Sequence, residues 1–111
     1  MNTVEKLEQM GGKYWERGDK RRVYFDPAIV LGFAGLETQR YGTGNISSAK
    51  LNGEKISNSR ARRIASAFHY CKFYYDCTDG EFHYTDRYGD LGQWVELAQA
   101  ALHAMRAKLE E

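Results

Sequence analysis

Residues 72–84 read KFYYDCTDGEFHY, and their alternation constrains the fold more tightly than any other stretch of the chain. With Asp79-Gly80 at the turn, Cys77 opposes Phe82 and Tyr75 opposes Tyr84, because a two-residue type I′ turn selects residues that tolerate positive φ. Phe73, Tyr75, Cys77, Phe82 and Tyr84 then share an apolar face, and Tyr74, Asp76, Thr78, Glu81 and His83 a mostly polar one. An apolar sheet face needs a cover. The C-terminal stretch supplies one: Leu91, Trp94, Val95, Ala98, Ala101, Leu102, Met105 and Leu109 form a stripe at helical spacing, with Asp90 and Gln93 set as its capping box.

Earlier in the chain, Asn52-Gly53 within ISSAKLNGEKIS marks another hairpin, with Leu51 facing Glu54 and Ala49 facing Ile56. Its weakly apolar flanks leave it at least one wet face, for which a second copy of the chain, as a homodimer, is a candidate cover. Ser57, Asn58 and Ser59 then offer N-caps to a helix with Ala61, Ile64, Ala65 and Phe68 on its apolar side. At the N-terminus, Asn2 and Glu5 resemble a capping box ahead of Val4, Leu7, Met10 and Tyr14 at roughly helical spacing. Arg21–Phe25 (RRVYF) has strand composition, and Asp26-Pro27 starts a short helix over 28–33. The order helix, strand, short helix, hairpin, helix, hairpin, helix predicts a single α+β domain over residues 1–111. Its mostly antiparallel sheet is built from the two hairpins and an N-terminal strand, packed by the N-terminal, central and C-terminal helices.

Composition agrees with one folded core: the 111 residues are 42% hydrophobic and 14% aromatic, which argues against disorder. No run of about 18 apolar residues exists, and MNTVEKLEQM is charged where a signal peptide is apolar, so a soluble protein of the bacterial cytoplasm, with no membrane association, is expected. Cys71 and Cys77 fall on one extended strand, too far apart to bridge, and read as free thiols.

The net charge of +1 conceals a split: Lys13–Lys72 holds 12 basic and 5 acidic residues, a net +7, whereas Phe73–Glu111 holds 3 basic and 8 acidic, a net −5. Such polarity predicts a basic face suited to nucleic acid or to an acidic protein surface. Catalytic signatures are lacking. Cys71 and Cys77 point to the aromatic core, and His69, Cys71, Cys77 and His83 lack the close pairing of a structural zinc site. The glycines of GFAGLETQRYGTG match neither a dinucleotide fingerprint nor a P-loop. His83 and Asp76, read as cross-strand neighbours on the wet face, are more simply a surface hydrogen bond than a base with its orienting carboxylate. No enzyme activity, catalytic residue, metal or cofactor is expected.

The stretch YGTGNISSAKLNGEKISNSRARR carries the binding hypothesis. Ser57, Asn58 and Ser59 at a helix start can cradle a phosphate, with Arg60, Arg62 and Arg63 beside them even though basic side chains in a first turn oppose the helix dipole. Arg40, Lys50 and Lys55, together with Lys20, Arg21 and Arg22, extend that patch, and Tyr41 and Tyr74 offer stacking surfaces for bases. The rival account is a capped helix whose arginines are neutralised by Glu37, Glu54 and the acidic C-terminal half.

Three segments, GGKYWERGDKRRVYF, RYGTGNISSAKLNGEKISNSRARR and KFYYDCTDGEFH, together resemble short proteins of bacterial prophages and other mobile elements. The resemblance brings no activity and no functional residues; it implies a setting in which small proteins bind nucleic acid or obstruct a host complex, as anti-CRISPR proteins do. The expectation is therefore a non-enzymatic protein whose basic face engages nucleic acid or a host nucleoprotein complex. The alternative is an inhibitor of a host defence system acting by protein–protein contact. Tyr14, Trp15, Tyr41 and Tyr74 would be its anchors, and Asp76, Asp79, Glu81, Asp86 and Asp90 would imitate nucleic-acid charge.

Overall fold

Asn2 opens the first helix as its spacing predicts: its side chain accepts the Glu5 N–H at 2.8 Å, and Glu5 accepts the Asn2 N–H in return. The computed structural model describes residues 1–111. In chain order the elements are α1 (Thr3–Gln9), β1 (Lys13–Arg17), β2 (Lys20–Phe25), α2 (Pro27–Phe33), β3 (Leu36–Arg40), β4 (Ile46–Leu51), β5 (Glu54–Ile56), α3 (Asn58–His69), β6 (Lys72–Asp76), β7 (Glu81–Thr85) and α4 (Val95–Leu109). A 3₁₀ turn over Gly92–Trp94 leads into α4. No helix is long and apolar enough to cross a membrane.

The α+β class stands as expected, with the strands divided between two antiparallel sheets: β1-β2-β6-β7 and β3-β4-β5. Strand β1 has no counterpart in the sequence reading, where Tyr14 continued the spacing of α1. Gly11 ends that helix at φ +104°, its N–H bonding the Glu8 carbonyl while Gly12 N–H reaches back to Leu7, a Schellman closure. Gly12 lies against Val23 and Phe25 with no room for a Cβ, so the chain turns tightly onto β2 and runs as its edge partner.

Asn52-Gly53 forms the expected two-residue turn, with positive φ at both positions and Leu51 opposite Glu54, Ala49 opposite Ile56. The β6–β7 hairpin departs from expectation. Tyr75 opposes Phe82, Phe73 opposes Tyr84, and Cys77–Gly80 form a four-residue connection. Two side chains impose this closure: Asp76 Oδ1 accepts the Thr78 N–H, and Asp79 Oδ1 accepts the Glu81 N–H, each at 2.8 Å. Asp79 also lacks the positive φ that a type I′ turn needs at its position. The register moves by an even number of residues, so Phe73, Tyr75, Phe82 and Tyr84 keep their common face. Cys77 leaves the hairpin and donates its N–H to the Arg21 carbonyl at 2.9 Å. Both cysteines thus flank β6 rather than lying within it, and both are free.

A second correction concerns the approach to α4. Asp86, rather than Asp90, binds the chain there, its carboxylate accepting the Asp90 and Leu91 N–H groups at 2.8 and 3.1 Å.

One core joins all of these elements. Leu7 of α1, Val30 of α2, Phe68 of α3 and Ala98, Ala101 and Met105 of α4 meet Val23, Phe25, Phe73 and Tyr75 of the larger sheet, and the cluster continues to Leu36, Ile46 and Ala49 of the smaller one. Phe68 and Phe73 pack with ring centroids 5.4 Å apart and are buried almost completely, each contributing roughly 1.5–3 kcal/mol of hydrophobic stabilisation. No polar or charged residue is fully buried. The helices thus gather on one face of β1-β2-β6-β7, and the residues alternating with its core positions form the opposite face.

Candidate nucleic-acid interface

Most of the residues proposed around the start of α3 have partners within the fold. Ser57 is the N-cap, its Oγ accepting the Arg60 N–H at 3.0 Å; Asn58 Nδ2 donates to the Ser47 carbonyl at 3.2 Å; Arg63 Nη1 donates to Ser59 Oγ at 3.1 Å. Arg60 lies 5.3 Å from the centre of the Trp94 ring, a cation–π contact that offsets part of its unfavourable place in the helix dipole. Arg62 is exposed. The ion pairs with Glu37 and Glu54 expected in the rival account are absent, since the four salt bridges are His83–Asp79, Arg106–Glu81, Arg106–Glu110 and Lys108–Glu111.

The remaining proposed residues do not extend that site into one surface. Lys50 opposes Lys55 and Glu37 on the small sheet, on the face turned away from Ala49 and hence from α3. Arg40 and Tyr41 sit at the β3–β4 turn, where Arg40 Nη1 donates to the Gly44 carbonyl at 2.8 Å and Tyr41 is 62% exposed. Tyr74 belongs to the other sheet, together with Lys20, Arg21 and Arg22.

That other sheet gathers a denser constellation. On the face away from the core, β1 presents Lys13, Trp15 and Arg17; β2 presents Lys20, Arg22 and Tyr24; β6 presents Lys72, Tyr74 and Asp76; β7 presents Glu81, His83 and Thr85. Register puts Tyr24 opposite Tyr74 and Tyr74 opposite His83, and the rings meet. Trp15 and Tyr24 are edge-on at 5.9 Å, Tyr24 and Tyr74 are tilted at 5.5 Å, and Tyr74 and His83 stack at 5.4 Å. An aromatic ladder therefore crosses all four strands. Arg22 lies on it, its guanidinium carbon 4.3 Å from the Tyr74 ring centre and its Nη1 donating to the Tyr24 hydroxyl at 3.0 Å. That hydrogen bond, more than any other influence, holds the Arg22 pKa above its usual value. Its Nε is buried without a hydrogen-bond partner, an uncommon state for a guanidinium donor.

The charge on this face is positive and largely unspent. Lys13, Arg17, Lys20, Arg22 and Lys72 make no salt bridge, whereas Glu81 is taken by Arg106 at 2.6 Å and Asp76 by the Thr78 N–H. Two clefts open along the edge of the face where β6 begins. One, of about 380 Å³, lies among Trp15, Tyr24, Pro27, His69 and Lys72. The other, of about 360 Å³, lies among Arg22, Tyr24, Tyr70, Lys72, Tyr74, Thr85, Arg87 and Tyr88. Both have the size of a small-molecule site. Tyr70 and Tyr88 are 58% and 72% exposed, large aromatic surfaces left uncovered.

The alternative chemistries are arranged differently from the sequence expectation. Asp76 opposes Glu81, not His83, and His83 Nε2 instead meets Asp79 Oδ2 at 2.7 Å. Asp76, Asp79 and His83 bring ligand atoms within 4.8 Å of one another, but both carboxylates are occupied in closing the turn. Burial, ahead of the nearby Asp86 carboxylate, pushes the Cys71 thiol up to about 11, and burial raises the Cys77 thiol as well, both away from nucleophilic reactivity.

Sequence reasoning found Tyr74 and the Lys20–Arg22 run, named Trp15 only as an anchor for protein contact, and missed Tyr24, Lys72, Arg87 and Tyr88. Strand β1 is the signal that would have placed Trp15 on this face, since KYWER alternates around it once Gly11-Gly12 is read as a helix stop. Comparison with protein-family models, curated proteins and solved structures found no match to this chain, so the functional reading rests on the site itself.

Proposed function

We propose that this protein binds single-stranded nucleic acid on the open face of its four-stranded sheet. The observation that carries this reading is the ladder Trp15–Tyr24–Tyr74–His83 with Arg22 laid across it and unpaired lysines and arginines at its margins. Bases that are not paired in a duplex expose π-faces, and an aromatic platform in a positive field receives them irrespective of sequence. A duplex hides those faces, so the single strand is the preferred form.

Fluorescence anisotropy with a labelled single-stranded decanucleotide tests the proposal. Tyr74→Ala removes a stacking surface worth about 1–3 kcal/mol per base, which is a loss of about 5- to 150-fold in affinity. Arg22→Ala lowers affinity in the same range, whereas Arg60→Glu with Arg63→Glu leaves most of it intact. Strong loss from the α3 pair with none from Tyr74→Ala overturns the proposal. So does a host protein complex retained after nuclease treatment by a chain that binds no oligonucleotide, the outcome that belongs to an inhibitor acting by protein contact.

A further inference from the structure

Resting on that reading, we infer that the face holds two successive nucleotides in a fixed register, one base in each cleft, with Lys72 at the phosphate between them. Three observations carry it. The clefts are adjacent and share a wall, since Tyr24 and Lys72 line both. Each cleft has its own aromatic lining: Trp15 with His69 on one side, Tyr74 with Tyr70 and Tyr88 on the other. Lys72, at the boundary, is exposed and makes no salt bridge.

Charge distributes unequally between the two. The Trp15 cleft has Lys72 alone as a fixed cation, whereas the Tyr74 cleft adds Arg22 and Arg87, so a second phosphate is drawn to that side. Arg22 lines that side with its Nη1 held by Tyr24 and the ring of Tyr74 beneath it, so its positive charge is fixed there. The strand therefore runs across β1, β2, β6 and β7 rather than along them, and its polarity is set by which side takes the extra phosphate.

Photocrosslinking with two dinucleotide isomers tests the register. Both carry a 5′-phosphate; one has 5-iodouracil at the 5′ position and thymine at the 3′, and the other reverses the bases. Crosslinked residues are read by peptide mass spectrometry. The expected result is that one isomer labels the Trp15–His69 cleft and the other the Tyr74–Tyr88 cleft, each with a preference of about tenfold, within the range one stacking contact commands. In Arg87→Ala the preference falls towards parity while the clefts remain the labelled sites, and Lys72→Ala weakens labelling by both isomers alike. Both isomers labelling one cleft, or both labelling the two clefts equally in the unaltered protein, overturns the register and leaves the binding face standing. Labelling confined to α3 or the small sheet overturns the face itself, and the register with it.

Discussion

Arg22 shows how one side chain's surroundings decide what it is for. In the sequence it is one of three consecutive basic residues, but its neighbours Lys20 and Arg21 differ from it in the fold. Arg21 alternates to the other side of β2, opposite Glu16, while Arg22 stacks on Tyr74 and bonds Tyr24. Alternation was legible in RRVYF; the partner strand that supplies Tyr74 was not, because pairing β2 with β6 joins residues about fifty positions apart. The cysteines make a separate prediction at this scale. With the Cys71 thiol raised to about 11 by burial, its neutral form is favoured in the fold and thiolate appears only as pH climbs towards that value. Iodoacetamide at about pH 8 should therefore modify the half-buried Cys77 first and Cys71 only when the protein unfolds. Equal rates for the two in the native protein would contradict the burial described for Cys71.

Elements whose ends are written in local chemistry were the legible ones. The Asn2–Glu5 capping box, the Asn52-Gly53 turn and the Asp26-Pro27 helix start all stand where the sequence puts them, since each depends on residues within four positions of one another. The β6–β7 turn was misjudged because two ways of closing it competed locally. Asp79-Gly80 fits a two-residue turn, yet Asp76 and Asp79 each capture a main-chain N–H and lengthen the loop. A pH dependence follows. Local desolvation pushes the Asp79 carboxyl up, but the Glu81 N–H and the His83 ring together outweigh it and hold it below its ordinary value of 3.8. A depressed folded-state value means that the contribution of Asp79 is complete above the unfolded value and is lost as pH falls through the lower, folded one. Thermal melts of the protein and of Asp79→Asn, compared from about pH 5 down to about pH 2, should therefore converge as the carboxylate is protonated. A separation that stays constant over that range would show that the charge of Asp79 does not hold the turn.

At the scale of the whole molecule, the split of charge along the chain becomes a surface. Lys13, Arg17, Lys20, Arg22 and Lys72 come from the +7 segment and share the face that the helices leave open. The asymmetry was visible beforehand, and so was the α+β class, because both are sums over many residues. The wet face of the β6–β7 hairpin was legible too, but that β1 and β2 extend it with Trp15, Arg22 and Tyr24 was not, since it depends on pairing with strands distant in sequence. The stretch around α3 drew attention because its small polar and basic residues are adjacent in sequence, yet in the fold Ser57 takes the Arg60 N–H, Ser59 the Arg63 guanidinium, and Arg60 lies against Trp94. The most direct test of the open face is a ¹H–¹⁵N NMR titration of the intact protein with a single-stranded oligonucleotide. The Trp15 indole signal and the amides of β2 and β6 should move together and saturate, with residues 57–63 nearly unchanged. Shifts centred on residues 57–63 while the Trp15 indole stays still would contradict it.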